Sequence, residues 1–242
     1  MQFKDFLLTE SYKTSITFDD AIDTIKEKCT KTEFDHPLVR GMRDNGEAYI
    51  FEGETGSRKS ITKSNYHNII LDHVISSLDK SYPLRSNSVI CTTIKDVDST
   101  DRFGSSKYVI FPYDTTIIGY LTKGIDLNFQ AITINGHKTR LRIFKKILQH
   151  NFISEKSFDD IVDGINNLID NPDDNLSDQY KISKFFNKGD DVKSILLHDF
   201  SKEEFGYDFG YMNDLYENQA YGECWIGGKC IALRYDLWEK LK

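Results

Sequence analysis

Apolar residues along the chain follow two rhythms. Phe18, Ala21, Ile22, Ile25 and Cys29 recur at helical spacing behind Thr17, a residue type that caps helix starts, so the pattern predicts a helix over 17–30. Tyr66, Ile69, Ile70, Val74 and Leu78 repeat that spacing and predict a second helix over 64–78. From about 138 to 170 the periodicity is helical again, with one stripe of Leu141, Phe144, Ile147 and Leu148 and another of Phe158, Ile161, Val162, Ile165 and Leu168. The polar run from Asn171 to Asp178, which contains Pro172, breaks that pattern, and a short helix is predicted at about 190–198.

Elsewhere the apolar runs are short and read as strands. Pro37 precedes a brief strand that ends on Arg40-Gly41, and residues 82–94 lead into a strand cored by Val89, Ile90 and Cys91. Residues 107–121 predict strand, turn at Asp114, strand. Residues 42–60 are polar and glycine-rich apart from Ala48 to Phe51 and predict a long loop. Tyr221 to Arg234 reads as a hairpin turning at Gly227-Gly228, with a last helical turn after it. Short strands mixed with separate helices imply α+β: one domain over 1–242, with a mixed or antiparallel sheet, flanking helices and a helical insertion at about 138–200. Within the hairpin Glu223 departs from the pattern, because a carboxylate opens an otherwise apolar strand, and a buried charge needs a partner or a task.

Composition narrows the function. With 39% hydrophobic and 29% charged residues and no apolar run of membrane-spanning length, the 242-residue chain reads as a globular protein of a cytoplasm, with no membrane partner. A net charge of −7 argues against a nucleic-acid footprint over the whole surface and leaves room for a local basic patch. The four cysteines lack zinc spacing; they read as buried thiols, with a Cys224–Cys230 disulfide as the alternative. The six histidines form no ligand pattern, so no metal is expected. Gly53 to Ser60 nearly matches the phosphate-binding pattern G-x-x-x-x-G-K-[ST], but Arg58 stands where the second glycine must let the backbone wrap a phosphate. That argues against a nucleotide triphosphatase and leaves a solvated loop, or a cationic loop that contacts a ligand phosphate or a partner.

Three strand ends carry the candidate chemistry. Arg40 is a guanidinium held at the end of Leu38-Val39-Arg40-Gly41, suited to gripping a phosphate. Thr92 and Thr93 close Val89-Ile90-Cys91-Thr92-Thr93, and Glu223 opens Glu223-Cys224-Trp225-Ile226. This Arg, Ser/Thr, Glu order resembles the ADP-ribosyltransferase family of the cholera-toxin-like, Arg-Ser-Glu type. The phrasing from Pro83 to Thr93, Phe103-Gly104 and Tyr108 to Tyr113 is also similar to transferase-like proteins encoded by large bacteriophages.

The resemblance implies an ADP-ribosyltransferase-like fold with a split sheet, and transfer of ADP-ribose from NAD to an acceptor, a host protein met in the host cytoplasm. It places Arg40 and Gly41 at the NAD pyrophosphate and ribose, and Cys91, Thr92 and Thr93 where the family has Ser-Thr-Ser. Ser88 is the alternative source of the missing hydroxyl. The resemblance makes Glu223 the catalytic carboxylate and offers Phe103, Tyr108 and Tyr113 as aromatics to stack on nicotinamide. It sets the helices at 17–30 and 64–78 beside the NAD cleft. A fixed anion beside an oxocarbenium-like ribose suits this chemistry. Arginine-modifying members carry Glu or Gln two residues before the catalytic Glu, where this chain has Tyr221, with Glu217 and Gln219 nearby. The acceptor therefore stays open among other side chains, a nucleic acid, a small molecule and water, the last making an NAD glycohydrolase. The rival readings are a binding or inhibitory module without catalysis, and a Glu223 that pairs with Arg85 or Arg234.

Overall fold

The computed structural model describes residues 13–42, 45–51, 65–93, 106–124, 126–127, 130–172, 177, 181–220 and 222–241. The motif at 53–60, Phe103 and Tyr221 lie outside them. In chain order the elements are β1 (Lys13–Ile16), α1 (Phe18–Lys28), β2 (Leu38–Met42), β3 (Ala48–Phe51), α2 (Tyr66–Leu78), β4 (Val89–Thr93), β5 (Ser106–Pro112), β6 (Ile118–Leu121), β7 (Ala131–Ile134), β8 (His137–Arg140), α3 (Leu141–His150), α4 (Phe158–Asp170), α5 (Val192–Asp199), β9 (Tyr207–Gly210), α6 (Met212–Glu217), β10 (Glu223–Ile226), β11 (Cys230–Arg234) and α7 (Tyr235–Trp238). The fold is α+β, as the sequence implies. The described residues divide into two compact units, one from 1–58, 81–125 and 208–242, the other from 59–80 and 126–207.

The first unit is a sheet in the order β1-β3-β11-β5-β2-β4-β10-β6-β9, with every described pairing antiparallel. Hydrogen bonds join all nine strands, where a split core is expected from the resemblance. The join between β2 and β4 is short, however. It holds only Leu38↔Thr93 and Val39↔Thr92, whereas β2 and β5 register over five pairs. Alternation along the strands then sorts two buried layers. Leu38, Cys91, Tyr108, Ile110, Cys224, Cys230 and Ala232 face α6 through Met212 and Leu215. Val109, Phe111, Ile231 and Leu233 face the apolar stripe of α1, whose Thr17 cap accepts from Asp20 N at 3.2 Å. The piece 48–51 read as part of a loop is β3, an inner strand between β1 and β11, because its alternating residues fit both layers.

The second unit is helical. α2 contacts α3, α4 and α5, and buries Ile70, Leu71, Val74 and Ile75. Leu78, assigned to the buried stripe, is half exposed at the last turn. α3 buries Leu141, Phe144, Ile147 and Leu148, as its spacing predicts. The helical pattern begins three residues later than expected, because His137–Arg140 pairs as β8 with β7. The turn between them is Asn135-Gly136, with φ of 50° and 81°. Both lie in the left-handed region that Asn-Gly supplies at little steric cost, which makes it a hairpin signal.

Candidate functional site

Glu223 is the first residue of β10 and is buried, 8% exposed. Gly222 before it has φ 121°, open to glycine alone among ordinary residues, and its backbone is pinned to the end of β4: Gly222 N donates to Thr93 Oγ1 and Thr93 N donates to Gly222 O, both at 3.1 Å. That clamp sets the register Glu223↔Thr92, so the carboxylate and the Thr92 hydroxyl share one face of the sheet. Arg85 Nε donates to Glu223 Oε1 at 2.7 Å, and both side chains are about nine-tenths buried. A charge pair this dry holds together through its mutual attraction and hydrogen bond, and removing either member is costly. Thr92 Oγ1 is buried and makes no hydrogen bond among the described residues.

Arg85 is delivered by a tight helical turn, Arg85–Asn87, just before β4. Ser88 Oγ donates to Leu84 O at 2.7 Å across that turn, and Trp225 Nε1 donates to Pro83 O at 3.0 Å, so both ends of the segment are tied to the sheet. Trp225 lies two residues beyond Glu223 on the same face. Its indole covers Gly119, where a Cβ would fall 2.1 Å from the ring. Phe209 meets Trp225 edge-on with centroids 6.1 Å apart, and Tyr82 stacks on Phe209 at 4.2 Å. The pattern of the sequence did not single out Tyr82 and Phe209. The Tyr- and Gly-rich composition around Phe209 is the one signal that pointed toward them.

The register separates the other predicted residues from Glu223. Arg40 pairs with Tyr108 across β2 and β5, one position out of phase with Val39, Thr92 and Glu223, so it belongs to the opposite face. There Arg40 Nη1 donates to Ile90 O at 3.0 Å, beyond the point where β2 and β4 part. Gly41 follows it in β2, opposite Lys107. Tyr108 is fully buried on Arg40's face; its ring lies against Tyr49 and its hydroxyl donates to Gly46 O at 2.8 Å. Tyr113 lies under Lys28 Nζ at 5.8 Å, in a cleft of about 380 Å³ at the β10–β11 turn with Thr116, Gly228 and Lys229. Ser88 precedes Val89, the partner of Ile226, and so stands at the end of β10 away from Glu223; it braces the turn that carries Arg85. Thr93 clamps Gly222. Of the Arg, Ser/Thr, Glu set, the fold thus brings Thr92, Thr93 and Glu223 together. Arg234 forms a two-bonded pair with Asp236, so of the two arginines suggested for Glu223, Arg85 is the one that meets it.

All four cysteines are free and buried. Cys91 and Cys224 are direct cross-strand neighbours on Arg40's face. Burial pushes the Cys91 and Cys230 thiols far up, and burial raises Cys29 to about 12, so none of these three is poised as a nucleophile. Among the described residues no three His, Cys, Asp or Glu side chains gather as a metal-binding group, and no helix is long and apolar enough to cross a membrane. Comparison with family models, curated proteins and solved structures found no match.

Proposed function

We propose that the protein cleaves NAD at the bond between nicotinamide and ribose and passes ADP-ribose to a protein acceptor, with Glu223 as the catalytic carboxylate. One observation carries this reading: a buried carboxylate, aimed by Arg85, stands directly opposite a buried hydroxyl, Thr92 Oγ1, that has no hydrogen bond among the described residues. A buried polar atom left in that state calls for an explanation, and a ligand or water opposite the carboxylate supplies one. In the reaction the C1′–N bond breaks and its electron pair leaves with nicotinamide. Positive charge develops on the ribose beside the Glu223 anion, and the acceptor's nucleophile then bonds C1′ and gives up its proton. Thr92 bonds a ribose hydroxyl, and Arg85 fixes the carboxylate's direction. Phe209 and Tyr82, both half-buried and set against the fully buried Trp225, are the aromatic residues on that face. Arg40 has no contact with the substrate in this arrangement, because it is on the other face of the sheet.

The test is incubation with biotin-labelled NAD and a bacterial lysate, with nicotinamide release measured in parallel. Label and release should appear with wild type and fall about 10²–10³-fold in Glu223→Gln, the usual cost of removing a fixed group that stabilises transition-state charge. Thr92→Val should lose most of both, and Arg40→Lys should keep them. Release without label would make the protein a glycohydrolase. The absence of both label and release would sink the enzymatic reading.

A second reading rests on the same ion pair taken by itself. A dry Arg85–Glu223 bond ties the 85–87 turn to the start of β10 and needs no substrate to explain it. In that reading the chain is a binding module. NAD in excess should then leave the melting temperature unchanged, whereas a competent site raises it in proportion to RT ln(1 + [L]/Kd).

A further inference from the structure

In a chain of net charge −7, residues 127–154 contain five Lys and Arg and no Asp or Glu, which leaves −12 on the remainder. The structure places four of these cations on the surface of the helical unit along one continuous segment. Lys138 and Arg140 are exposed on β8, and α3 follows directly with Arg142 and Lys146 exposed on its outer side. Lys138, Arg140 and Lys146 make no ion pair among the described residues. Two residues apart on a strand and four apart on a helix, these cations recur at roughly 5–7 Å. A row of that kind follows the phosphates of an extended polynucleotide strand.

Two apolar side chains interrupt the charge. Ile143 is 44% exposed on α3, and Phe152, just past the helix end, is 92% exposed. Phe152 also has φ 54°, in the left-handed region, where its N donates to Gln149 O at 3.0 Å and closes the helix. This closing position is the one glycine fills most cheaply, and a phenylalanine there is strained as well as exposed. Neither packing nor backbone conformation accounts for a benzyl group at this place.

We infer that this strip binds single-stranded nucleic acid, with the cations on phosphates and the Phe152 ring stacked on a base. Cationic tracks with an exposed aromatic are how proteins hold single strands without reading sequence. A lipid surface fits less well, because the apolar stripe of α3 (Leu141, Phe144, Ile147 and Leu148) is already buried in its own unit and cannot insert. The inference is independent of the reading proposed for Glu223.

The test uses the full chain, fluorescence anisotropy with a labelled oligothymidine of about 20 nucleotides, long enough to cover one such track, the corresponding duplex, and vesicles containing phosphatidylserine. Oligothymidine should bind. Lys138→Ala with Lys146→Ala should flatten the slope of log K against log salt by about 1.4, two phosphates at ~0.7 each for single strands. Phe152→Gly should weaken the single strand about tenfold, the loss of one stacked base, and leave any duplex binding unchanged. Because it relieves the left-handed backbone, the same variant should melt no lower than wild type. Wild-type affinity in both variants would overturn the inference, as would binding of vesicles without the oligonucleotide, or no binding of either.

Discussion

The two faces of the sheet at β2, β4 and β10 each hold one charge, Glu223 buried and Arg40 half-buried, and they treat it differently. On one face Glu223 meets an opposite charge, Arg85, carried by a turn outside the sheet, and beside it lies a hydroxyl with no hydrogen bond among the described residues. On the other, Arg40 donates to the main-chain carbonyl of Ile90 and sits within electrostatic reach of the Cys91 and Cys230 thiols. Arg40 Nη1 thus satisfies a main-chain carbonyl where β2 and β4 diverge, a structural task. On the Glu223 face the Thr92 hydroxyl makes no hydrogen bond among the described residues. That hydroxyl stands directly opposite a buried carboxylate, and this juxtaposition marks the face where a ligand is to be sought.

The largest expected effect tests the ion pair. Arg85→Ala takes the nearest cation from a buried carboxylate and should cost about 3–5 kcal/mol in urea unfolding. Arg85→Met with Glu223→Met should recover much of that, since a well-packed apolar pair avoids the desolvation of both charges. If Arg85→Ala costs nothing, the face of Glu223 is wetter than its burial implies.

Next is the floor beneath that face. Gly119→Ala drives a Cβ into the Trp225 indole and should cost roughly 1–3 kcal/mol by overpacking. It should also reduce NAD-dependent labelling more than its stability loss explains, because Trp225 ties down Pro83, two residues before Arg85. On the opposite face, Arg40→Met should cost about 1.5–3 kcal/mol, the range for a hydrogen bond from a charged donor. Labelling by the folded fraction should be unchanged. Loss of labelling beyond loss of fold would return Arg40 to the substrate and break the distinction between the faces.

The smallest change has the sharpest sign. Thr92→Val replaces a buried hydroxyl lacking a hydrogen bond with a methyl group of the same shape, so stability should hold or rise by up to about 1 kcal/mol. Activity should fall. Gain in one with loss in the other is the mark of a site kept for function. The thiols of the other face supply the control. Held un-ionised by burial, Cys91 and Cys230 should resist alkylation near pH 8 in the native state and react only on unfolding.

Much of this fold was legible because its signals are local. The stripes of α1, α3 and α4 need only their own spacing, and the Gly227-Gly228 turn lies where the hairpin turns. The Asn135-Gly136 turn was equally local, but the helical rhythm that follows it hid the strand from 137 to 140. β3 escaped because an inner strand of four residues is recognisable only by its neighbours. Glu223 stood out as a charge among apolar residues. Its partner was legible only as far as Arg85 or Arg234, since a sequence does not say across which strand an arginine on a turn will reach.

The amino-acid sequence determined which segments become helices and strands, that they mix as α+β, and that Glu223 is out of place in its strand. Tertiary structure decided that Thr92 stands opposite Glu223, that Arg85 reaches it, and that Arg40 turns to the other side. The physical reason is the two-residue period of a strand. The face a side chain takes depends on pairing register, and a shift of one residue moves it through the sheet. Register here is set by contacts far apart in the chain, Gly222 with Thr93 and Val39 with Thr92.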